Sequence, residues 1–432
     1  MTTNPSSKAT PQPTGGFHGW RIAGYAAVAL AMTAPGQTVA VSAFVDPLIA
    51  DLGISRSTIS TAYLIGTLTG AAALPAIGRL IDRHGVRHCM LVIAAVFGAV
   101  LVALSTVSGI VGLTAGFVGI RMAGQGALSL AATTLTAHWF RRRRGLAMGI
   151  ASAVGAAGIS LAPLLLERLI AHHGWRTAWL VEGLLVWTIV IPIALFGIRN
   201  RPEDIGQQVD GAAANAHPAS RAQTDLTHRQ ALRTPYFWVL SASVATSGLL
   251  TTAIAFHQIS LLTERGLTSA AAAANFLPQT VAGIAATLLV GALIDRANPR
   301  VTLLVSMVGL AAALAWATQA TPGWSALGFG VAIGAASGAI RTAEAALTPR
   351  LFGIGHLGTI RGTVTAVNVG STAFGPVMFA LGHDLTGSYT SALLIGAALP
   401  LAVGAAATLA PLPAEEGHAT PRRAHRSSST AR

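Results

Sequence analysis

Ionisable side chains set inside long apolar runs are the residues of this chain that can do chemistry. Arg121 stands in Arg121-Met122-Ala123-Gly124-Gln125-Gly126, and Arg341 and Glu344 stand together in a later run. A cation at membrane depth is costly, so each arginine is expected to face the interior of a helix bundle or a water-filled cavity. Arg341 and Glu344, three positions apart on one helix face, can neutralise one another. The sharper reading has Arg121 and Arg341, one from each half of the chain, meet a small anion near the midplane, while Glu344 or His257 takes up a proton. Burial can raise a carboxyl pKa toward neutrality, and histidine ordinarily titrates there. Gln258, Gln279 and Asn368 are the further polar residues at depth and complete the candidate substrate contacts. The plainer alternatives are an Arg121 that holds backbone carbonyls or a partner helix and a His257 that bridges two helices. Glu182, near the outer end of its run, reads as an interfacial residue rather than a proton site.

The elements that must position these groups follow from composition. Of the 432 residues, 52% are hydrophobic and 10% are charged, against about 25% charged in an ordinary soluble domain. A water-facing surface cannot be built from so few charges, and the bilayer is the better solvent. At about 20 residues per crossing, twelve apolar segments are legible: 21–45, 58–80, 88–107, 109–138, 145–171, 177–197, 235–262, 270–293, 300–319, 323–347, 360–383 and 388–410. Lipid offers no partner for an unpaired backbone group, so the crossings are helices. Lys8, Arg21 and the run after them do not form a cleaved signal, because that run continues to Ala50. Residues 1–19 and 411–432 are polar, rich in Pro, and read as disordered cytoplasmic tails. Residues 199–234 read as a cytoplasmic linker, with a short helix expected around Thr227–Leu232. The one cysteine, Cys89, excludes a disulfide within the chain.

The chain repeats itself. Gly78-Arg79-Leu80-Ile81-Asp82-Arg83-His84-Gly85-Val86-Arg87 returns 213 positions later as Gly291-Ala292-Leu293-Ile294-Asp295-Arg296, and Gly53 returns as Gly266 at the same offset. Two copies of one half, 20–198 and 235–410, in so apolar a chain point to a secondary transporter that rocks one half against the other around a central site. The net charge of +13 would fit nucleic acid, but its distribution does not. With both termini cytoplasmic, 22 of the 28 Lys and Arg lie in the tails and cytoplasmic connections. Four (Arg56, Arg168, Arg176 and Arg265) lie outside, and two lie within spans. That bias is the positive-inside rule.

The Gly-x-Leu-x-Asp-Arg-x-Gly pattern between spans 2 and 3, with its weaker copy between spans 8 and 9, resembles the signature loop of the major facilitator superfamily. The resemblance implies an all-α membrane protein of twelve transmembrane helices in two pseudo-symmetric six-helix halves. It also implies that Gly78, Asp82, Arg83 and Gly85, with Arg87, Asp295 and Arg296, help close the cytoplasmic side. Within that family, Trp139-Phe140-Arg141-Arg142-Arg143-Arg144-Gly145-Leu146-Ala147 is similar to monocarboxylate and oxalate/formate-type carriers. Gly174-Trp175-Arg176, Arg201-Pro202-Glu203-Asp204 and Thr234-Pro235-Tyr236-Phe237-Trp238 are similar to them too. The Asp and Arg those monocarboxylate carriers place in span 8 are missing between Asn275 and Gly291. The anion reading therefore rests on two intramembrane arginines against one deep carboxylate.

No Gly-x-x-x-x-Gly-Lys loop, paired cysteine or long soluble segment exists to house an enzyme or a nucleotide-driven pump. Gly85 breaks the helix between His84 and His88, which argues against a metal there. The chain is expected to be a monomeric multi-pass protein of a bacterial inner membrane. No cofactor, metal or nucleic acid is expected, and a small organic anion is the substrate. A drug-efflux carrier and a non-transporting membrane sensor on the same scaffold are the alternatives.

Overall fold

The computed structural model describes residues 17–140, 143–211, 226–294, 296–353 and 356–413. Asp295, most of both tails and the middle of the linker lie outside them. Every regular element among the described residues is helical. In chain order they are α1 (Gly19–Ala31), α2 (Thr38–Leu52), α3 (Arg56–His84) and α4 (Val86–Leu104). Next come α5 (Ile110–Ile120) and α6 (Ser129–Trp139), joined through a π-helical stretch Arg121–Leu128, and then α7 (Arg144–Pro192). After the linker come α8 (His228–Ala231), α9 (Pro235–Glu264), α10 (Ser269–Ala274), α11 (Phe276–Leu293) and α12 (Pro299–Ala317). The last are α13 (Trp324–Phe352), α14 (Leu357–Thr386) and α15 (Tyr389–Leu409).

Nine helices among the described residues are long and apolar enough to cross a membrane. The difference from the expected twelve lies in three interruptions. Gly174, at φ 77°, turns the chain inside the long α7. A break at Thr33–Gln37 divides α1 from α2, and the π stretch divides α5 from α6. Large apolar side chains such as Leu288, Leu289 and Ile395 remain exposed along these helices. That is tolerable only where the surrounding solvent is hydrocarbon.

Residues 17–54 and 65–211 form one compact unit, and residues 55–64 and 226–413 form another. Each unit repeats one packing scheme. In the first, α1 packs on the first half of α7 at Gly155 and Gly158, α3 packs on α5 and the π stretch at Gly66 and Gly70, and α4 packs on the second half of α7 at Gly183. In the second, α9 packs on α14 at Gly375, α11 on α13 at Gly334 and Gly338, and α12 on α15 at Gly404. Small residues at these crossings let backbones approach without a hydrophobic driving force between helices. Gly53 and Gly266, and likewise Gly174 and Gly387, sit 213 positions apart and all have positive φ. The repeat thus preserves the left-handed stops of the turns at that end of each unit.

Repeat-related arginines also make equivalent bonds. Arg87, at the start of α4, donates to the carbonyls of Ala194 and Leu195 at 3.2 and 2.6 Å. Arg300, 213 positions later at the start of α12, donates to the carbonyl of Ala410 at 3.3 and 3.2 Å. Each cation satisfies carbonyls left open at the end of the last span of its unit, where the helix dipole favours positive charge. The expected short helix in the linker is the single turn α8, whose Thr227 hydroxyl accepts from the Gln230 amide.

Candidate functional site

In the first unit the site is built around a broken helix. Pro35 and Gly36 interrupt the path from α1 to α2, and the first amides of α2, Ala40 and Val41, bond to the Gln37 carbonyl. The Gly36 carbonyl is thereby left without a helical donor. Arg121 supplies one: its guanidinium donates to the Gly36 carbonyl at 3.0 Å and to the Thr67 hydroxyl at 3.1 Å. The side chain is 3% exposed. Gly36 and Gly124 lie in backbone contact, so a side chain at either would push the break away from the π stretch. Of the readings open for Arg121, the geometry displays the one in which it holds a carbonyl and a partner helix.

In the second unit the polar residues sort into separate groups. Gln279 donates to Gln258 at 2.7 Å and to the Asn275 side chain at 3.2 Å, while Asn275 donates to the Ala326 carbonyl at 2.7 Å. Gln258 is fully buried and also donates to the Ala272 carbonyl. These amides tie α9, α10, α11 and α13 together. His257 is fully buried as well. Its Nε2 lies 2.9 Å from the Pro376 carbonyl, which can only accept, so Nε2 carries the hydrogen. Nδ1 then accepts from the Tyr389 hydroxyl at 3.0 Å. The imidazole bridges α9, α14 and α15. Asn368 on α14 faces Gly248 of α9, and its Oδ1 is buried without a hydrogen-bond partner.

Glu344 does not pair with Arg341. Its carboxylate receives Arg361 of α14 in a two-pronged bond, Nε to Oε1 at 3.1 Å and a terminal nitrogen to Oε2 at 3.2 Å. The i, i+3 expectation on α13 fails because Arg361 presents a planar fork from the neighbouring helix, the better match to a carboxylate. Arg341, midway along α13, makes no hydrogen bond or ion pair with any described residue and is exposed. Its guanidinium rests 3.7 Å from where a side chain at Gly283 of α11 would begin.

At the signature loop, Asp82 and Arg83 are exposed and have no hydrogen-bond or ionic partner among the described residues. Gly85, at φ 80°, caps α4 against the side chain of Asn200, which accepts from the Arg87 amide at 2.9 Å. Arg87 is thus anchored to the end of its own unit. Gly78 packs loosely on Leu130, Arg296 is exposed, and Asp295 lies outside the described residues. Sequence reasoning passed over Asn200, Thr67, Tyr389 and Arg300. Two of them carry a signal in the 213-residue offset, Arg300 matching Arg87 and Thr67 matching Thr280.

Helices long and apolar enough to span a membrane, with a break between α1 and α2 and an arginine in mid-helix in each unit, define a multi-pass membrane protein. The family model described as Major Facilitator Superfamily matches residues 26–282, more than half of the chain. The chain belongs to that superfamily and is a multi-pass integral membrane protein. Among curated relatives it is similar to the oxalate:formate antiporter of Oxalobacter formigenes, 28% identical over 197 residues, 46% of this chain and 44% of the other. It is also similar to human monocarboxylate transporter 11, 25% identical over 92% of this chain and 84% of the other. Over the first three curated relatives the match spans 26%, 31% and 44% of their length. Among solved structures it superposes on a bacterial homologue of the human lysosomal transporter Spinster with a TM-score of 0.70. That match is 14% identical and covers 92% of this chain and 97% of the other, a likeness of fold.

Proposed function

We propose that this protein is a secondary active transporter of a small organic anion of carboxylate type, working by alternating access as proton symport or exchange. The observation that carries the reading is Arg341, a guanidinium in mid-helix with no partner among the described residues. An unanswered cation within a membrane helix is costly, and a carboxylate that binds it in two-pronged fashion removes the cost. Gly283 keeps the adjoining wall of α11 free of side chain. The likeness to an oxalate:formate antiporter and to monocarboxylate transporters supports the same substrate class. Arg121, engaged with Gly36 and Thr67, contributes by holding the broken first span in place. Gln279, half-buried beside Gln258, and Asn368 are the neutral polar contacts on offer. The same reading places both termini on the cytoplasmic side of a bacterial inner membrane.

The test is ligand-induced thermal stabilisation of purified protein by formate, oxalate and lactate, set against a panel of cationic drugs. At least one carboxylate is expected to stabilise the wild type. Arg341→Ala should weaken it by roughly 10- to 100-fold, the equivalent of about 1.5–3 kcal/mol for a hydrogen bond to a charged group. Arg341→Lys should recover part of the loss. Stabilisation by cationic drugs alone, indifferent to Arg341→Ala, would replace this reading with drug efflux. Carboxylate binding without flux in proteoliposomes would replace it with a sensor.

A further inference from the structure

Glu182 lies in the second half of α7, eight residues past the Gly174 turn, which is about 12 Å of helix. It does not behave as the interfacial residue its position in the sequence implies. The residue is 7% exposed, its Oε2 is buried without a hydrogen bond, and no described residue forms an ion pair with it. Three positions earlier, on the same helix face, Trp179 is fully buried, stacks on Phe44 of α2 at 3.7 Å, and has an indole N–H without an acceptor. Arg176, three positions before Trp179, is paired with Asp51 at 2.9 Å.

A carboxylate left without cation or donor in a low-dielectric interior costs several kcal/mol, and the neutral acid costs far less. The surroundings supply nothing to hold the charge. On the helices packed against α7 the titratable groups are Arg21 and Tyr25 of α1, Asp46 and Asp51 of α2, Arg87, His88 and Cys89 of α4, and His138 of α6. Asp51 is taken by Arg176, Arg87 by the end of its own unit, and none bonds to Glu182. The two groups first expected to carry a proton are committed elsewhere: Arg361 holds Glu344, and both nitrogens of His257 are bonded.

We infer that Glu182 is the proton-carrying carboxyl of this protein: one carboxylate oxygen takes up a proton, is buried as the neutral acid, and releases it when that face of α7 meets water. The inference deepens the transport reading and rests on it for the use made of the proton, although the protonation itself can be observed without transport. In full-length protein reconstituted at neutral pH, infrared spectroscopy should show the carbonyl stretch of a protonated carboxyl, shifted by deuterium exchange. That band should vanish in Glu182→Gln and persist, displaced, in Glu182→Asp. Proteoliposomes loaded with formate, oxalate or lactate add the functional arm. Glu182→Gln should lose accumulation driven by a pH gradient and keep exchange of like for like, which moves no net proton. A band unchanged in Glu182→Gln, or a variant that follows the pH gradient as the wild type does, overturns the inference. If the band is lost but neither protein moves any of the three anions, the protonation site stands and the transport reading falls.

Discussion

A guanidinium among packed helices is costly unless something answers it, and Arg121, Arg361 and Arg341 differ in what they meet. Arg121 meets a carbonyl that a helix break has left open, and Arg361 meets a carboxylate. Arg341 has no hydrogen-bond or ionic partner among the described residues, the feature on which the proposed anion contact rests. The Arg361–Glu344 bond makes a prediction at this scale, because the Glu344 side chain is only 13% exposed while Arg361 is 46% exposed. Arg361→Ala strands the carboxylate and should cost about 2 kcal/mol, the scale of one hydrogen bond to a charged group. The double variant Arg361→Ala with Glu344→Gln leaves no stranded charge and should regain most of that loss. Thermal melting of the two proteins in the same detergent reads the difference, and equal melting temperatures would show that the pair contributes no such coupling.

Among the elements, the interruptions are where the chemistry collects. The Thr33–Gln37 break exposes the carbonyl that Arg121 takes, and the π stretch Arg121–Leu128 sets Gly124 against Gly36. Helices broken within a membrane persist only where protein groups re-satisfy the freed backbone. The ends of elements follow the same rule through Arg87 and Arg300. Because the two make equivalent bonds in the two units, Arg87→Ala and Arg300→Ala should lower stability by similar amounts, on the order of 1–2 kcal/mol each. Since they lie in separate units with no shared partner, the losses should add in the double variant. Thermal melting of the two single variants and the double checks both statements.

For the whole molecule, solvation and charge dominate. The apolar exterior requires a bilayer, and the proposed orientation puts most of the basic residues on its cytoplasmic side. In a Cys89→Ser background, Ser6→Cys and Ser427→Cys report on the tails and Thr321→Cys on the turn before α13. A membrane-impermeant maleimide applied to intact cells should label only Thr321→Cys, with the tails labelled after permeabilisation. Labelling of either tail from outside would reverse the proposed orientation.

The amino-acid order by itself determined the solvent, the helical class and the duplication, because each is a local or periodic property. Apolar runs select hydrocarbon, glycines such as Gly53 and Gly266 stop helices by their own backbone freedom, and a fixed offset of 213 is visible without folding. The fold of the candidate site was legible to the extent that Arg121 and Arg341 stood out as cations at depth. Which group each one meets was not, since a partner is supplied by whichever helix packs alongside. Only the tertiary structure decided that Arg361, remote in sequence, outcompetes Arg341 for Glu344. It also decided that His257 is spent on Pro376 and Tyr389. Glu182 changed most between the two views. Distance from a span end describes one dimension of a helix, whereas burial depends on the face, and the Phe44–Trp179 stack turns that face inward.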